Sequence, residues 1–447
     1  MMLLKEGMRM LRRKMEEELR RWKAEADHKP LVLKGCRQCG KTYSVLAFAR
    51  ENYESVVYLN FLEHPEYSDI FSESLAVNHL MMMMSALLPA DVQFVPGKTL
   101  LVFDEIQACP EARTSLKFFK IDGRFDVIAT GSLLGVAGYG EPRSVPVGYE
   151  TVRTMRPLDF EEFLWANGIG EPVVALLQRC LDTASPVPAA LHKRLRQLLL
   201  EYAVVGGMPE VVQDFVDHRQ MNRVLGLQRD IVRAYEDDMV KYAEPRDKAK
   251  IKECFQSIPR QLARENKKFQ YAVIKKGGRA SEFRGSLQWI EDAGIIVRCY
   301  NLQLPELPLD GNAVNDVFKV YMADTGLFVS MLEDGTQMDI LRGNLYGYKG
   351  AIFENLVADL FSKMGRKLYY YHKDSGLEVD FVIRYEGQCT LVEVKAATGY
   401  VKSTKTILNH PEKYHVGGAV KLGDYNVGRN ENILSLPLYM GFLLKQP

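Results

Sequence analysis

The run Gly35-Cys36-Arg37-Gln38-Cys39-Gly40-Lys41-Thr42 has the spacing G-x-x-x-x-G-K-T. Glycines at its ends let main-chain N–H groups curl around phosphate oxygens without a Cβ clash. Gly35, Arg37, Gln38 and Gly40 are candidate contacts to the phosphates of ATP. Lys41 is placed for the β- and γ-phosphates and Thr42 for Mg2+. Further along, Asp104-Glu105 ends an apolar run. Asp104 is a candidate for the hydration shell of the same Mg2+. Glu105 is a candidate general base for an attacking water. Ser132, and after it Thr130, could touch the γ-phosphate or that water. Near the other end of the chain, Asp380, Glu393 and Lys395 form an acid followed by acid-x-lysine.

These residues need scaffolding. Pro30–Lys34 reads as a short strand before the glycine loop, and Val45, Leu46, Phe48 and Ala49 as a helix after it. Thr99–Phe103 is continuously apolar, as in a parallel strand covered on both faces. Phe125–Thr130 is another strand, and runs near 55–60 and 149–155 complete about five. Strands alternating with helices give a doubly wound α/β sheet, with its ligands at the carboxyl ends of the strands. Cys36 and Cys39 form C-x-x-C inside the loop, but no second pair exists for zinc, so they read as filler.

In the C-terminal region, Ala351–Met364 has helical spacing, with Glu354 off its apolar stripe. Leu377–Ile383 and Thr390–Lys395 alternate as strands. A two-residue turn at Glu386-Gly387 would pair Tyr385 with Gln388 and set Asp380 opposite Glu393, with Cβ atoms roughly 5 Å apart. Glu378 would then face Lys395. Facing carboxylates repel unless a cation lies between them.

The glycine loop, Phe103-Asp104-Glu105-Ile106-Gln107 and Ala129-Thr130-Gly131-Ser132-Leu133 resemble the AAA-superfamily P-loop ATPases of bacteria and archaea that bear a C-terminal domain of unknown function. Leu158–Phe163 (LDFEEF) and Gly206–Glu210 (GGMPE) are similar to that family as well. The resemblance implies an additional central strand, a base at Glu105 and a polar sensor at Ser132. It singles out no arginine finger; Arg113, Arg124 and Arg143 are all candidates. The C-terminal pattern resembles the PD-(D/E)XK, or restriction-endonuclease-like, fold. That resemblance implies Mg2+ on Asp380 and Glu393, the helical acid Glu354, and Lys395 orienting or deprotonating water. The same sheet can persist as a binding module.

From about 165 to 300 the pattern is mostly helical, broken at Gly206-Gly207-Met208-Pro209, which reads as a hinge. Helices over Asp247–Ala263 and Glu282–Asp292, then a strand over Gly294–Tyr300, suggest a winged helix with Ser281–Trp289 as recognition helix. Lys275, Lys276, Arg279 and Arg284 give local basicity for DNA phosphates, but so few cations favour protein packing.

The chain has 447 residues, 47% hydrophobic and 26% charged, an ordinary globular balance. At roughly 150 residues per domain, about three domains are expected. The boundaries read as 1–205 for an ATPase domain with an amphipathic N-terminal helix, 206–308 for a helical and winged-helix-like region, and 309–447 for a nuclease-like α/β domain. With 58 Lys and Arg against 57 Asp and Glu, no whole-surface basic field exists, so DNA or RNA would need a local patch. Seven cysteines suit a reducing compartment better than a disulfide scaffold. No apolar run approaches the ~20 residues of a membrane span, and Met81–Ala90 reads as a buried helix. Basic residues from Lys5 to Lys14 precede Glu16–Glu18 without an apolar core, unlike a secretion signal. A cytoplasmic protein is expected, with ATP and Mg2+ as ligands, no membrane, and DNA, RNA, a partner protein or its own copies as further partners. The function expected is Mg2+-dependent ATP hydrolysis coupled to a nuclease-like domain; the other reading is a nucleotide switch whose C-terminal domain binds without cleaving.

Overall fold

The computed structural model describes residues 11–89, 92–132, 147–264, 268–344, 349–395 and 402–445. Residues 1–10, Leu133, residues 135–140 and Arg143 lie outside the described residues. The chain divides into two compact units. The first is Met1–Pro157 with Lys241–Arg246 and Asp292–Gly294; the second holds the rest, including most of 206–308 and all of 309–447.

The first unit is built on strands β1 (Leu31–Lys34), β2 (Ser55–Asn60), β3 (Thr99–Asp104), β4 (Asp126–Gly131) and β5 (Thr151–Thr154). They form one parallel sheet in the order β2-β3-β4-β1-β5. Residues alternate between its faces, as the period of a strand requires. Leu101 and Phe103 enter a core with Phe61, Phe71, Leu80 and Phe119. Leu100 and Val102 enter another with Leu19, Trp22, Val45 and Phe48. The N-terminal helix is present over Lys14–Ala24, with Leu19 and Trp22 buried. The helix Val77–Leu87 departs from expectation. It buries Leu80 and Met84 but exposes Met82 and Leu87, because only one of its faces meets the sheet layer. Ala90 lies outside the described residues.

The second unit starts with helices Phe160–Ala166, Glu171–Asp182, Ala189–Val205, Pro209–His218 and Met221–Tyr242. The break at Gly206-Gly207 is no hinge. A Cβ on Gly206 would lie 2.1 Å from Asp324 Oδ1, and one on Gly207 would lie 2.0 Å from Leu158 O. Gly207 N–H donates to Asp324 Oδ2 at 2.7 Å, and its carbonyl accepts from Leu158 N–H at 2.7 Å. Glycine is needed here for close approach, and the junction is locked.

Helices Lys248–Leu262, Tyr271–Ile274 and Ala280–Asp292 lead into β6 (Ile296–Leu302) and β7 (Ala313–Met322), an antiparallel pair. Helix Lys349–Lys363 precedes β8 (Leu368–His372) and β9 (Glu378–Val379). These strands make a sheet in the order β7-β6-β8-β9, with β6 and β8 parallel. A second sheet has the order β10-β11-β12-β14-β13, from β10 (Phe381–Tyr385), β11 (Gln388–Lys395), β12 (Gly418–Gly423), β13 (Gly428–Asn430) and β14 (Ile433–Pro437). The β10–β11 hairpin pairs Tyr385 with Gln388 as its turn chemistry demands. Glu386 and Gly387 both have positive φ, 47° and 77°, the conformation of a type I′ turn.

Candidate functional site

In the first unit the expected residues meet at the carboxyl ends of β1, β3 and β4. Gly35 sits where a Cβ would lie 2.0 Å from Met155 O, so no side chain fits. Gln38 and Gly40 take positive φ, 62° and 95°, and Gly40 opens the helix Lys41–Asn52. The loop therefore ends on a helix N-terminus, a favourable place for an anion. Arg37 is half-buried and Gln38 exposed beside it.

Lys41 is buried and donates to the Gly35 carbonyl at 3.0 Å, the Cys36 carbonyl at 2.9 Å and Ser132 Oγ at 3.3 Å. Thr42 Oγ1 lies 3.1 and 3.0 Å from the two Asp104 carboxylate oxygens. Asp104 also accepts from Tyr58 OH at 2.6 Å, Asn60 Nδ2 at 3.4 Å and the Thr130 hydroxyl. Burial first, and then that bond to Asp104, raise the Tyr58 phenol, so it stays a donor. A hydroxyl and a carboxylate side by side are the donor set that Mg2+ takes beside a triphosphate, so these residues fit the ion.

Glu105 adopts positive φ, 53°, at the end of β3. Gln107 Nε2 donates to its Oε2 at 2.5 Å, and Ser132 Oγ to its Oε1 at 3.4 Å. The two hydroxyl candidates thus divide their work: Thr130 turns to Asp104, and Ser132 bridges Lys41 and Glu105.

Cys36 and Cys39 are both buried. The Cys39 thiol is pulled down to about 6, chiefly by a hydrogen bond with Cys36 and, against burial, by Lys41 and Arg13. Arg13 braces the loop from behind, donating to the Cys39 carbonyl at 3.0 Å and the Arg156 carbonyl at 2.7 Å. Of the arginine-finger candidates, Arg113 is held by Glu150 at 2.7 Å and Arg124 by Asp122 at 2.7 Å.

A second cluster lies in the other unit. Lys319 on β7, buried, donates to Glu378 Oε1 at 3.1 Å and lies 3.7 Å from Glu354 Oε2. Tyr321 OH donates to Glu354 Oε2 at 3.1 Å. Asp380 Oδ2 accepts from Val394 N–H at 2.7 Å. Glu393 accepts from Thr404 Oγ1 at 2.7 Å and pairs with Lys395 at 2.8 Å. Burial, then Glu354 and Glu393, push the Asp380 carboxyl up to about 7. Burial opposes the Lys319 ammonium, yet Glu354, Asp380 and Glu378 raise it above its ordinary value.

This arrangement corrects two expectations. Glu378 pairs with Lys319, because the chain leaves the hairpin before Asp380 and Glu378 joins β8 instead. The β10–β11 ladder ends at Phe381 opposite Val392, so Asp380 reaches Glu393 from a bend rather than from a paired strand. Lys319, Tyr321 and Thr404 had no signal in the sequence, since they arrive from distant elements. Asn60 could have been found from its place at the carboxyl end of β2, as could Gln107 within its motif.

Among the described residues no helix is long and apolar enough to cross a membrane. Residues 27–164 match the family model described as an AAA domain. Residues 196–337 and 349–439 match two domains of unknown function, DUF8612 and DUF4143. No curated protein matches the sequence. Among solved structures, the Walker-type ATPase of Pyrococcus abyssi aligns at 14% identity over 72% of this chain and 96% of that one, with a TM-score of 0.41. A DNA replication initiation factor aligns at 11% identity over 62% and 85%, with a TM-score of 0.28. Drosophila ORC bound to DNA aligns at 14% over 62% and 71%, with a TM-score of 0.26. Overlaps this loose say nothing of activity. The family match and the strand order agree on an AAA-type P-loop ATPase domain over residues 27–164.

Proposed function

We propose that the first unit binds Mg2+-ATP and hydrolyses it. The observation that carries this reading is the convergence of Lys41, Thr42, Asp104, Glu105 and Ser132 through direct hydrogen bonds at the ends of three parallel strands. Lys41 exchanges its bonds to the Gly35 and Cys36 carbonyls for phosphate oxygens. Thr42 and Asp104 hold Mg2+, which when bound spreads the charge of the β- and γ-phosphates. Glu105 takes a proton from water as the water oxygen bonds to the γ-phosphorus. The bond to the bridging oxygen breaks, and ADP departs with its electron pair. Ser132, touching both Lys41 and Glu105, senses whether the γ-phosphate is present.

The test is calorimetric ATP binding alongside phosphate release. Lys41→Ala is expected to lose affinity. Glu105→Gln is expected to keep binding and lose roughly 100-fold or more in turnover. Undiminished turnover in Glu105→Gln would remove Glu105 as the base.

For the C-terminal region the resemblance to a restriction-endonuclease-like core draws support from the mixed sheet and the acidic hairpin. The carboxylate oxygens there are engaged by Lys319, Tyr321, Thr404, Lys395 and the Val394 amide, and among the described residues no group of three or more His, Cys, Asp or Glu is arranged as an ion site. We therefore favour a module that binds without cleaving; were its ligand nucleic acid, the exposed Lys275, Lys276 and Arg279 of the preceding region are cations that could meet the phosphates. Incubation with supercoiled and single-stranded DNA and Mg2+ should give binding without nicks. Cleavage that vanishes in Asp380→Ala and Glu393→Ala would restore the nuclease reading.

A further inference from the structure

We infer that the helix Ala280–Asp292 and the basic turn before it form a docking surface for double-stranded DNA; this deepens the binding reading above by naming a ligand and its site, and needs neither ATP nor cleavage. After the helix Lys248–Leu262 the Phe269 N–H donates to the Phe318 carbonyl of β7 at 2.8 Å. The short helix Tyr271–Ile274, the helix Ala280–Asp292 and the β6–β7 hairpin follow. That order is a helix-turn-helix closed by a hairpin, with Ala280–Asp292 as the second, groove-reading helix. Gly277 turns at φ 80°, and a Cβ on Gly278 would lie 2.6 Å from Tyr271 O, so the two helices are tightly joined. Phe283, Leu287 and Ile290 bury the inner face of the longer helix.

The outer face is exposed, and its side chains are of the kinds that meet bases. Ser281, Arg284 and Gln288 share one face, at i, i+3 and i+7. Hydroxyl, guanidinium and amide are the groups that hydrogen-bond base edges in the major groove. With Ala280 and Gly285 they line an open concavity of about 690 Å3. Gly285 is exposed in the middle of the helix, and a Cβ there would meet nothing within 4 Å, so packing does not require it. Glycine weakens a helix relative to alanine, and here it leaves room for a close approach. Gln288 accepts from Arg298, and Arg284 pairs with Asp316. Both members of that ion pair are exposed, so Arg284 readily exchanges Asp316 for a nucleic-acid acceptor.

Charge selects the partner. Lys275, Lys276 and Arg279 are exposed and have no acidic partner among the described residues. They crowd the start of a helix whose dipole is already positive there, against Glu282 as the acid of the first turn. A phosphate backbone relieves that repulsion. The major groove of duplex RNA is too narrow to be read in this way, so the occupant is duplex DNA. The loop 303–312 between β6 and β7 adds no cation, and its acids are already held, Glu306 by His415 at 2.7 Å and Asp310 by Lys367 at 2.5 Å. Contact therefore runs through the helix and the turn before it.

The test titrates the full chain against a short fluorescent DNA duplex by anisotropy over a salt series, with duplex RNA of the same sequence alongside. DNA is expected to bind with a Kd on the order of micromolar at low salt, and log K to fall against log salt with a slope of roughly −3 to −4, from Lys275, Lys276, Arg279 and Arg284. Combining Lys275→Ala, Lys276→Ala and Arg279→Ala should weaken binding about tenfold or more and flatten the slope toward about −1. Gly285→Leu should weaken it about tenfold yet melt at or above the wild-type temperature, because the leucine fills the concavity and touches no core residue. Asp316→Asn should tighten it by freeing Arg284. Equal affinity for duplex RNA, no binding of DNA by the wild type, or undiminished binding in both the triple variant and Gly285→Leu would overturn the inference. Cleavage by the wild-type chain would instead overturn the binding-only reading of the C-terminal region and leave this surface standing.

Discussion

Replacing Lys363 with methionine should unbalance the most deeply buried charges of the second unit. The Lys363 side chain is 1% exposed, Asp359 0% and Asp324 3%. Its ammonium lies 2.7 Å from Asp359 Oδ1, 3.2 Å from Asp324 Oδ2 and 2.9 Å from Tyr202 OH. Methionine keeps the length but leaves two carboxylates without a cation. Breaking a buried pair in this way typically costs about 3–5 kcal/mol. Here the low end applies, because each carboxylate keeps other hydrogen-bond donors. Asp324 retains Gly207 N–H at 2.7 Å and Leu327 N–H at 3.1 Å, and Asp359 retains Thr325 N–H and Oγ1, both at 2.9 Å. A loss of about 3 kcal/mol corresponds to roughly 6–12 °C in Tm for a domain of this size class. The loss should depend on pH. Burial already pushes the Asp359 carboxyl up to about 6 despite its lysine. Without that lysine the folded protein holds a proton there more tightly than the unfolded chain, so stability rises as pH falls below neutrality toward the unfolded carboxyl range. Urea titrations of Lys363→Met at pH 8 and pH 5.5 measure both effects, and Asp359→Asn in the same background should recover part of the loss at pH 8. A deficit under about 1 kcal/mol at pH 8, or one that grows in acid, would refute the reasoning.

Gly207→Ala should prevent stable folding of the second unit, since the new methyl would stand 2.0 Å from Leu158 O; soluble yield and chemical denaturation check it. Thr42→Val should weaken ATP binding about tenfold in Mg2+ and leave it little changed in EDTA, read by calorimetry, because only the ion-facing hydroxyl is removed. The bond to Asp126 raises the His28 pKa, against burial. Its stabilisation is then full below the ordinary histidine value and lost as pH rises through the raised one. His28→Gln should therefore destabilise the first unit more at pH 6 than at pH 9, by about 1 kcal/mol or less in urea melts.

The glycine-loop site of the first unit was legible because its residues are local in the chain. Gly35 to Thr42 form one loop, and the continuous apolar run of β3 places Asp104 and Glu105 at a strand end by itself. The strand order was not readable, since nothing in residues 126–131 says that they pair with both β1 and β3. The C-terminal hairpin register was also readable, because Glu386-Gly387 specifies its own turn. The cluster around it was not. Lys319 is far from Glu354 and Glu378 in the chain, and a lone lysine between Phe318 and Val320 reads as an outward-facing residue until the sheet is assembled. The glycines at 206 and 207 were visible as a break, but whether a break bends or locks depends on what packs against it, here Leu158 and Asp324.

The parallel pairing of β6 with β8 bears on how the chain can be cut. A fragment trimmed to 349–439 would carry β8 and β9 yet leave behind β6 and β7, stripping Cys299–Leu302 from their neighbours Leu368–Tyr371. The excised piece would show a raw row of amides and carbonyls beside Tyr369, Tyr370 and Tyr371, an invitation to intermolecular strand addition and insoluble aggregates. Truncations that begin before residue 296 keep that seam closed.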